Sequence, residues 1–490
     1  MIRNCISALD FIPMRHQNLL ILALLVTIAA CNKDNDDMTD VPRQPNLETA
    51  LPLFQITTEV QIENEPKVPA KLEIFENGAL TFEHTIGIEY RGSTSYRLSD
   101  KKSYGIETWD ESGGDVSVGI LGLPEEEDWI LMGHVFRSSN NTIFDPTLMR
   151  HYIGYELFRS MGNYASRAKF VELFINDEYL GVYVFMEKLK RANDRIDISR
   201  LDPTENDSVN ITGGYILKID KTAGGDVAPN QPLSYYENNW EDDAKYNADI
   251  SFRSVYGTDG SILDFEPFRP PYHDLQYIET YFLYEYPKST EISVEQRDYI
   301  QNYIYEFETA LLADDFNSDL RTYTDYIDIN SFIDYFILNE LVRNIDGYRL
   351  STYLFKDLNG KLNLGPVWDL NIGYSDDGRL PINDWIINYN NYVPQDPWLI
   401  PFWWDRFLAD PVFVEALKAR WTSLRGNELA TGTVTGLVRT TADYLVETGA
   451  MERNYEKWSG ISISYQAEID IMINFLDERL SWMDNEINNL

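Results

Sequence analysis

Hydrophobic residues follow two different patterns in this chain, and the change between them near residue 260 limits the folds that it can adopt. Before that point, short runs rich in β-branched and aromatic residues are separated by turn residues, which is typical of strands. After it, apolar residues recur every three or four positions, which is typical of helices. The sequence therefore predicts an α+β fold of two lobes, a β-rich N-terminal lobe and a helical C-terminal lobe. A cleft between two such lobes is a usual place for a ligand.

The same patterns locate the individual elements. The predicted strands cover 54–62, 70–75, 86–90, 103–108, 168–175, 180–186 and 213–219. The predicted helices cover 147–161, 267–286, 294–314, 328–343, 411–425, 431–448 and 465–488. A Pro- and Asn-rich stretch, 385–404, is aromatic, and packing of a long loop onto the helices is favoured there over a platform for sugars.

Composition and charge exclude several classes of function. The 490 residues carry a formal net charge of −38 at pH 7, which argues against a nucleic-acid-binding surface because phosphate contacts need clustered Lys and Arg. The two cysteines, Cys5 and Cys31, both lie near the N-terminus, and the histidines lack the spacing of zinc ligands. We therefore expect no disulfide framework and no zinc chemistry in the body of the chain.

The N-terminus is typical of a targeting segment. Leu19–Ala30 is an apolar run of 12 residues, the length of a signal-peptide core rather than a membrane span. Ile28–Cys31 resembles a bacterial lipobox, which predicts lipidation of Cys31 after removal of residues 1–30. An acidic tether, 31–48, then precedes a β-rich region at 49–205 and a mainly helical region at 206–490. This arrangement implies a lipid anchor in the outer membrane of a Gram-negative bacterium, on its periplasmic or its outer face.

Two aspartates flank a predicted hairpin in the second half of the chain. Asp346 follows the apolar helix 328–343, and Asp369 follows the second of two strands, 352–356 and 361–367, that are joined by an Asn-Gly turn. This hairpin folds the chain back, so we expect the two carboxylates to converge. One carboxylate that orients an acceptor hydroxyl and another that holds Mg²⁺ are what phosphoryl transfer needs. The alternative interpretation is two aspartates in ordinary turns.

Five short blocks across residues 50–375 form a wider pattern. They are Arg91-Gly92-Ser93-Thr94-Ser95 with Lys101-Lys102-Ser103-Tyr104, Asp128-Trp129-Ile130-Leu131 with Asp145 and Arg150, Asn176-Asp177-Glu178-Tyr179-Leu180-Gly181 with Glu187, Gly213-Gly214-Tyr215-Ile216-Leu217, and the stretch from Asn344 to Asn371 with its Gly365-Pro366-Val367-Trp368-Asp369. In content and order they resemble the spore-coat protein H (CotH) kinase-like family. The resemblance implies an atypical protein kinase that uses ATP and Mg²⁺ to phosphorylate a protein, with Asp346 as the catalytic aspartate and Asp369 as the metal-binding one.

Further site residues are predicted from local pattern together with that resemblance. Strand alternation puts Lys102 on the bulky face of its strand, where a kinase-like lysine would hold ATP phosphates with Glu187 as its partner. The turn at Arg91 and Ser93 offers small residues and a guanidinium to phosphate oxygens. Asn344 and Ser351 are the remaining candidates for the nucleotide.

Two positions depart from the family pattern. Asn371 stands where a second acid is usual, and we expect it to assist Asp369 at the metal with less negative charge. Ser351 stands where Asn is frequent. Both changes weaken the expected Mg²⁺ site.

Export past the inner membrane, where ATP is scarce, also keeps a second function open. That function is a catalytically weakened or inactive surface lipoprotein that binds an unidentified partner, with its N-terminal lipid as the only contact with membrane. A glycan hydrolase with paired carboxylates is a third possibility, but it accounts for none of the five blocks.

Overall fold

The computed structural model of the chain describes residues 47–222, 239–460 and 463–490. The predicted signal peptide, the predicted lipidation site at Cys31 and all but the last two residues of the predicted tether lie outside the described residues. Helices and strands are mixed along the rest of the chain.

The strands are numbered in chain order. They are β1 (Leu53–Thr57), β2 (Val68–Glu76), β3 (Ala79–Arg91), β4 (Ser103–Thr108), β5 (Asp128–Met132), β6 (Phe136–Arg137), β7 (Thr142–Ile143), β8 (Ala168–Ile175), β9 (Glu178–Glu187), β10 (Tyr215–Ile219), β11 (Ser251–Arg253), β12 (Tyr281–Tyr286), β13 (Thr352–Lys356) and β14 (Leu362–Leu364).

The helices are numbered in the same way. They are α1 (Thr94–Leu98), α2 (Arg150–Ser160), α3 (Val294–Leu312), α4 (Ile329–Val342), α5 (Tyr389–Tyr392), α6 (Trp403–Leu408), α7 (Pro411–Arg425), α8 (Thr431–Glu447), α9 (Ala450–Lys457) and α10 (Tyr465–Asn489).

Seven strands close into a barrel in the order β1-β2-β3-β4-β5-β9-β8. The ring closes where β1 pairs in parallel with β8, with Leu53 opposite Glu172. Closure leaves no unpaired edge in the ring. Alternate residues of the strands fill the interior, among them Ile88, Ile106 and Phe185.

Strand β9 is buried on both faces, which explains its nearly continuous apolar sequence. Tyr183 and Phe185 point into the barrel core. Val182, Val184 and Met186 point the other way and join the larger core that is built mainly by the helices. One strand therefore belongs to two hydrophobic cores, because successive side chains point to opposite faces.

A second sheet has the order β11-β12-β10-β13-β14, and every pair in it is antiparallel. The predicted hairpin is present: β13 pairs with β14, with Leu354 opposite Leu364 and Asn359-Gly360 in the turn between them. Strand β10 lies at the centre of this sheet, so residues at its end project beside the start of β13.

Helix α4 runs through the larger core. Asp328 caps its start, since the Asp328 side chain accepts a hydrogen bond from the Ser331 backbone N–H at 3.1 Å. Eleven of its 14 residues are buried, a degree of burial that fits a helix with apolar residues on all sides.

One predicted helix is wrong. Residues 267–286 form a loop, a single helical turn at Gln276–Ile278, and then strand β12. The aromatic run of β12 packs between β10 and β11, with Phe282 opposite both Ile219 and Phe252. Aromatic residues suit a strand that is paired on both sides, and this tertiary environment overrides the helical spacing.

The aromatic stretch 385–404 serves packing where it is buried. Trp385, Phe402, Trp403 and Trp404 belong to the larger core, which confirms the favoured interpretation for these four residues. Within the described residues, every helix is too short or too polar to cross a membrane.

Candidate functional site

One cavity collects most of the side chains that the sequence singled out. Its walls come from the β3–α1 connection, the end of β10, the α4–β13 connection, the segment after β14 and helix α2. Six predicted site residues line it, namely Arg91, Ser93, Asp346, Ser351, Asp369 and Asn371. The hairpin thus brings both aspartates to one cavity.

The end of α4 delivers Asp346. Arg343 adopts a left-handed conformation with φ of 50°, and its N–H caps the carbonyls of Asn339 and Glu340. Asn344 then turns inward, where its side-chain amide donates to Asn339 Oδ1 at 2.9 Å. Asn344 is 2% exposed and is not one of the residues that line the cavity. This corrects the expectation that Asn344 lies beside a nucleotide, because its amide is used to shape the turn.

An arginine holds the Asp346 carboxylate in place. Arg349 Nη2 lies 2.5 Å from Asp346 Oδ1, and the same guanidinium contacts Asp396 at 3.2 Å and donates to the Trp398 carbonyl at 3.1 Å. Arg379 reaches the Asp346 carboxylate at 4.0 Å. Arg349 is 2% exposed, and its contacts tie Asp346 to the aromatic stretch.

Helix α2 positions Asp369. Tyr155 stacks on Trp368 with ring centroids 6.0 Å apart, and Arg150 donates to the Asn371 carbonyl at 2.8 Å. At Gly154 the helix approaches so closely that an added Cβ would lie 2.1 Å from Leu370 Cδ1. Asp369 itself has a φ of 54° and a side chain that is 44% exposed. The backbone is therefore fixed while the carboxylate remains accessible.

A histidine from α2 reaches the same carboxylate. His151 Nε2 lies 3.4 Å from Asp369 Oδ1, and the His151 side chain is 5% exposed. Its Nδ1 is buried and has no hydrogen-bond partner among the described residues.

The end of β3 supplies Arg91, and the turn after it supplies Ser93. Gly92 has a φ of 95°, and a Cβ there would lie 2.2 Å from Ser95 Oγ, so the turn requires glycine. The Ser93 hydroxyl donates to Asp243 at 2.9 Å. The Arg91 guanidinium lies 5.9 Å from the Trp368 ring, next to Asp369 in the sequence.

The predicted pair of Lys102 and Glu187 is wrong. Lys102 donates to the Tyr96 carbonyl at 2.6 Å and lies over the Tyr96 ring. Glu187 is buried and pairs instead with Arg167 at 2.6 Å. Neither residue is among those that line the cavity. Strand β4 begins only at Ser103, so the alternation used to orient Lys102 does not extend to it.

Comparison with known families decides how this geometry is classified. The family model described as CotH kinase protein matches residues 88–483. The chain belongs to the CotH kinase family. No individual curated protein gives a match. The matched region includes Asp346 and Asp369, helix α2 and the end of β10.

In this CotH kinase family member, three charged residues at the end of β10 line the site but were not predicted from the sequence. Lys218, Asp220 and Lys221 all line the cavity. Lys218 Nζ lies 2.9 Å from Glu285 on β12 and 3.7 Å from Asp220. The signal was present in the sequence, because a lysine within an apolar strand must be paired or functional.

These charges shift one another's proton affinities. Burial alone would lower the pKa of Lys218, but the Glu285 and Asp220 carboxylates and the Tyr353 hydroxyl hold it well above its usual value. Burial raises the pKa of Asp220, and Lys218 opposes that rise. Lys221 pairs with Asp243 at 3.2 Å. The end of β10 therefore presents two paired lysine side chains to the cavity, and the Lys218 ammonium is held in its protonated form.

The donor set fits a divalent cation with a nucleotide. Asp369 and Asn371 offer the hard oxygen atoms that Mg²⁺ prefers, and one or two such ligands suffice when phosphates supply the rest. Arg91, Lys218 and Lys221 offer positive charge for phosphates. An apolar part of the lining completes the cavity, with Met132, Val135, Phe144 and Met186.

A second acidic cluster, outside this cavity, does not offer an open metal site. Glu126, Glu127 and Asp128 form the one trio of His, Cys, Asp or Glu side chains in the described residues that could share an ion. Lys190 Nζ already lies 3.1, 2.5 and 2.8 Å from their carboxylates. The ammonium group occupies the position that a cation would need.

Glu340, a fully buried acid on α4, is paired. It accepts hydrogen bonds from the backbone N–H groups of Ile386 and Ile387 at 2.7 and 3.1 Å and contacts Arg479 at 3.1 Å. Its role is to fasten α4 to the aromatic stretch close to Asp346.

Proposed function

We propose that this CotH kinase family member is an ATP- and Mg²⁺-dependent protein kinase. It would phosphorylate protein hydroxyl groups at or outside the cell envelope. The observation that supports this most is that Asp346 and Asp369 line one cavity together with Arg91, Lys218 and Lys221. A two-lobed, kinase-like arrangement, with the barrel over the helical part, forms part of the proposal.

Each charged residue has a distinct part in this proposal. Asp346, fixed by Arg349, would accept the proton of the acceptor hydroxyl. Asp369, with Asn371, would hold the cation. Lys218 takes the place first assigned to Lys102, since its ammonium is protonated, buried and in the cavity. Bound ATP with its cation would supply the phosphoryl group and the neutralising charge.

The location is part of the same proposal. We place the protein on the outer membrane of a Gram-negative bacterium, anchored through a lipid on Cys31 and free of other membrane contacts. The cavity faces a compartment with little ATP in that arrangement, so activity would depend on nucleotide supplied from outside the cytoplasm.

Transfer of labelled γ-phosphate tests the activity. The purified protein with Mg²⁺ and γ-labelled ATP should label itself or an added protein mixture, and Asp346→Asn and Asp369→Asn should each lower the labelling at least a hundredfold. Asp443→Asn is the matched control, because Asp443 is exposed on α8 and far along the chain from the lining residues. Labelling that both cavity variants retain would refute the proposal.

A specific observation also favours the second candidate, a weakened or inactive binding module. The Asp346 carboxylate is already neutralised by Arg349 at 2.5 Å, and Asn371 adds no charge at the cation site. An absence of any thermal shift with Mg²⁺ and ATP, together with an absence of labelling, would support this candidate over the kinase.

A further inference from the structure

The contact between His151 and Asp369 falls within the range of an ion pair but is too long for a good hydrogen bond. The atoms His151 Nε2 and Asp369 Oδ1 are 3.4 Å apart. An N–H···O hydrogen bond between such groups is usually about 2.7–3.2 Å long, so this contact is longer than a good one. Both residues line the cavity.

The separation matches that of two ligands on one ion. Protein oxygen and imidazole nitrogen atoms bind small divalent cations at about 2.1 Å. Two such atoms that subtend 90° to 109° at the ion are about 3.0–3.4 Å apart, by the same bond length. The observed distance lies at the upper end of that interval, so an ion can lie between the two atoms with little rearrangement.

The His151 imidazole is also fixed in position by its neighbours. His151 is 4% exposed, and its ring lies edge-on to Tyr155 with centroids 5.8 Å apart. The preceding residue, Arg150, is tied to the Phe144 carbonyl at 2.6 Å and to the Asn371 carbonyl at 2.8 Å. A side chain fixed on a rigid helix loses little freedom when it binds an ion.

We infer that His151 is a ligand of the divalent cation at Asp369, and that the site therefore prefers Mn²⁺ or another first-row transition ion to Mg²⁺. Imidazole nitrogen binds first-row transition ions well, whereas Mg²⁺ favours oxygen ligands and keeps its water. The inference rests on the proposed function only in taking Asp369 as the cation ligand. The neutral imidazole would add a ligand atom at this site, although it supplies none of the negative charge that Asn371 lacks.

Manganese binding in the absence of nucleotide tests the inference directly. The purified protein should bind Mn²⁺ more tightly than Mg²⁺, and the electron-spin-echo spectrum of bound Mn²⁺ should contain modulation from a coordinated ¹⁴N nucleus. His151→Phe should remove that modulation and lower the Mn²⁺ affinity at least tenfold, with a smaller loss for Mg²⁺.

His134→Phe is the matched control. His134 is also buried, at 3% exposed, but it bonds to the Leu148 carbonyl at 2.8 Å and does not line the cavity. This variant should keep both the ¹⁴N modulation and the affinity, and far-ultraviolet circular dichroism should show both variants folded.

Three results would overturn the inference: no Mn²⁺ binding by the unaltered protein, bound Mn²⁺ without ¹⁴N modulation, or modulation that persists in folded His151→Phe. None of these readouts depends on phosphoryl transfer. Modulation from His151 without any labelling would refute the kinase proposal alone, and labelling without modulation would refute this inference alone.

Discussion

A buried carboxylate that has no counter-ion among the described residues gives the sharpest prediction for stability. Glu308 on α3 is 1% exposed and accepts hydrogen bonds from Ser254 Oγ at 2.6 Å and Trp403 Nε1 at 3.0 Å. Burial raises the pKa of Glu308 to about 7, and these two donors only partly oppose the rise. The folded state therefore binds a proton more tightly than the unfolded state, whose Glu pKa is about 4.3.

The sign of the pH dependence follows from that difference. Below about pH 4 Glu308 is protonated in both states, and its contribution is fully present. As the pH rises toward about 7, the unfolded state loses its proton first, so the free energy of unfolding falls. A shift of roughly 2.5 units corresponds to about 3 kcal/mol, which is an upper estimate for a buried group.

Glu308→Gln should remove this loss of stability at high pH. Its amide oxygen can still accept from Trp403, but its amide nitrogen cannot accept from Ser254, and a lost hydrogen bond costs about 1 kcal/mol. At pH 8 the variant should therefore be more stable than the unaltered protein by about 1–2 kcal/mol. At pH 5 the gain should vanish or change sign.

Urea unfolding of both proteins at the two pH values, followed by tryptophan fluorescence, measures the difference. The comparison depends on equal slopes of free energy against urea for the two proteins. A variant that is destabilised equally at pH 5 and pH 8 would refute the reasoning, because it would mean that the carboxylate carries no cost of ionisation.

Three further outcomes are expected. Glu340→Gln should lower the free energy of unfolding, measured in urea, by about 3 kcal/mol, because buried Arg479 loses its counter-charge. An increase in stability, as expected for Glu308→Gln at pH 8, would contradict this pairing. Lys218→Met should weaken Mg²⁺–ATP binding at least tenfold in calorimetric titration, whereas Lys102→Met should leave the affinity unchanged. Equal losses of affinity in the two variants would contradict the assignment of Lys218 as the lysine that binds the phosphates. Gly154→Ala should lower the free energy of unfolding by about 1 kcal/mol, because the added methyl group overpacks against Leu370. An increase of about 1 kcal/mol, from the higher helix propensity of alanine, would instead mean that Leu370 can move aside.

Local patterns in the sequence predicted much of the fold. The hairpin of β13 and β14 follows from two apolar runs and an Asn-Gly turn, and its pairing is as expected. Helix α4 follows from its spacing and from Asp328 at its start. In both cases the signal and the structure involve residues close together in the chain, where propensity and capping act directly.

Features that depend on distant residues could not be predicted in this way. Strand β12 is a strand because β10 and β11 flank it, although its sequence also suits a helix. Glu187 finds Arg167 across the β8–β9 pair rather than Lys102. His151 and Asp369 are far apart in the sequence, and only the packing of α2 against the segment after β14 brings them together. No local pattern carries such information.

Left-handed backbone conformations recur in the segments that border the candidate site, although others occur elsewhere in the described residues. Arg343, Tyr348, Ser351, Asp369 and Tyr374 all have positive φ values, between 48° and 72°. A left-handed conformation costs a residue with a Cβ roughly 1–2 kcal/mol, and glycine would relieve it. These residues lie in the two segments that carry Asp346 and Asp369 to the cavity.

Strain that persists must be imposed by surrounding contacts, and at Asp369 those contacts are visible in Tyr155, Arg150 and Gly154 of α2. Glycine adopts these conformations without strain, whereas arginine and tyrosine side chains do not favour them. Only Ser351 and Asp369 among the five line the cavity. Arg343, Tyr348 and Tyr374 are buried and bond instead to the Leu380 carbonyl, Glu340 and the Arg150 carbonyl, so they brace the segments behind the cavity. This is why a reading of local propensity predicts the helices and strands on either side of the cavity but not the conformation of the residues that line it.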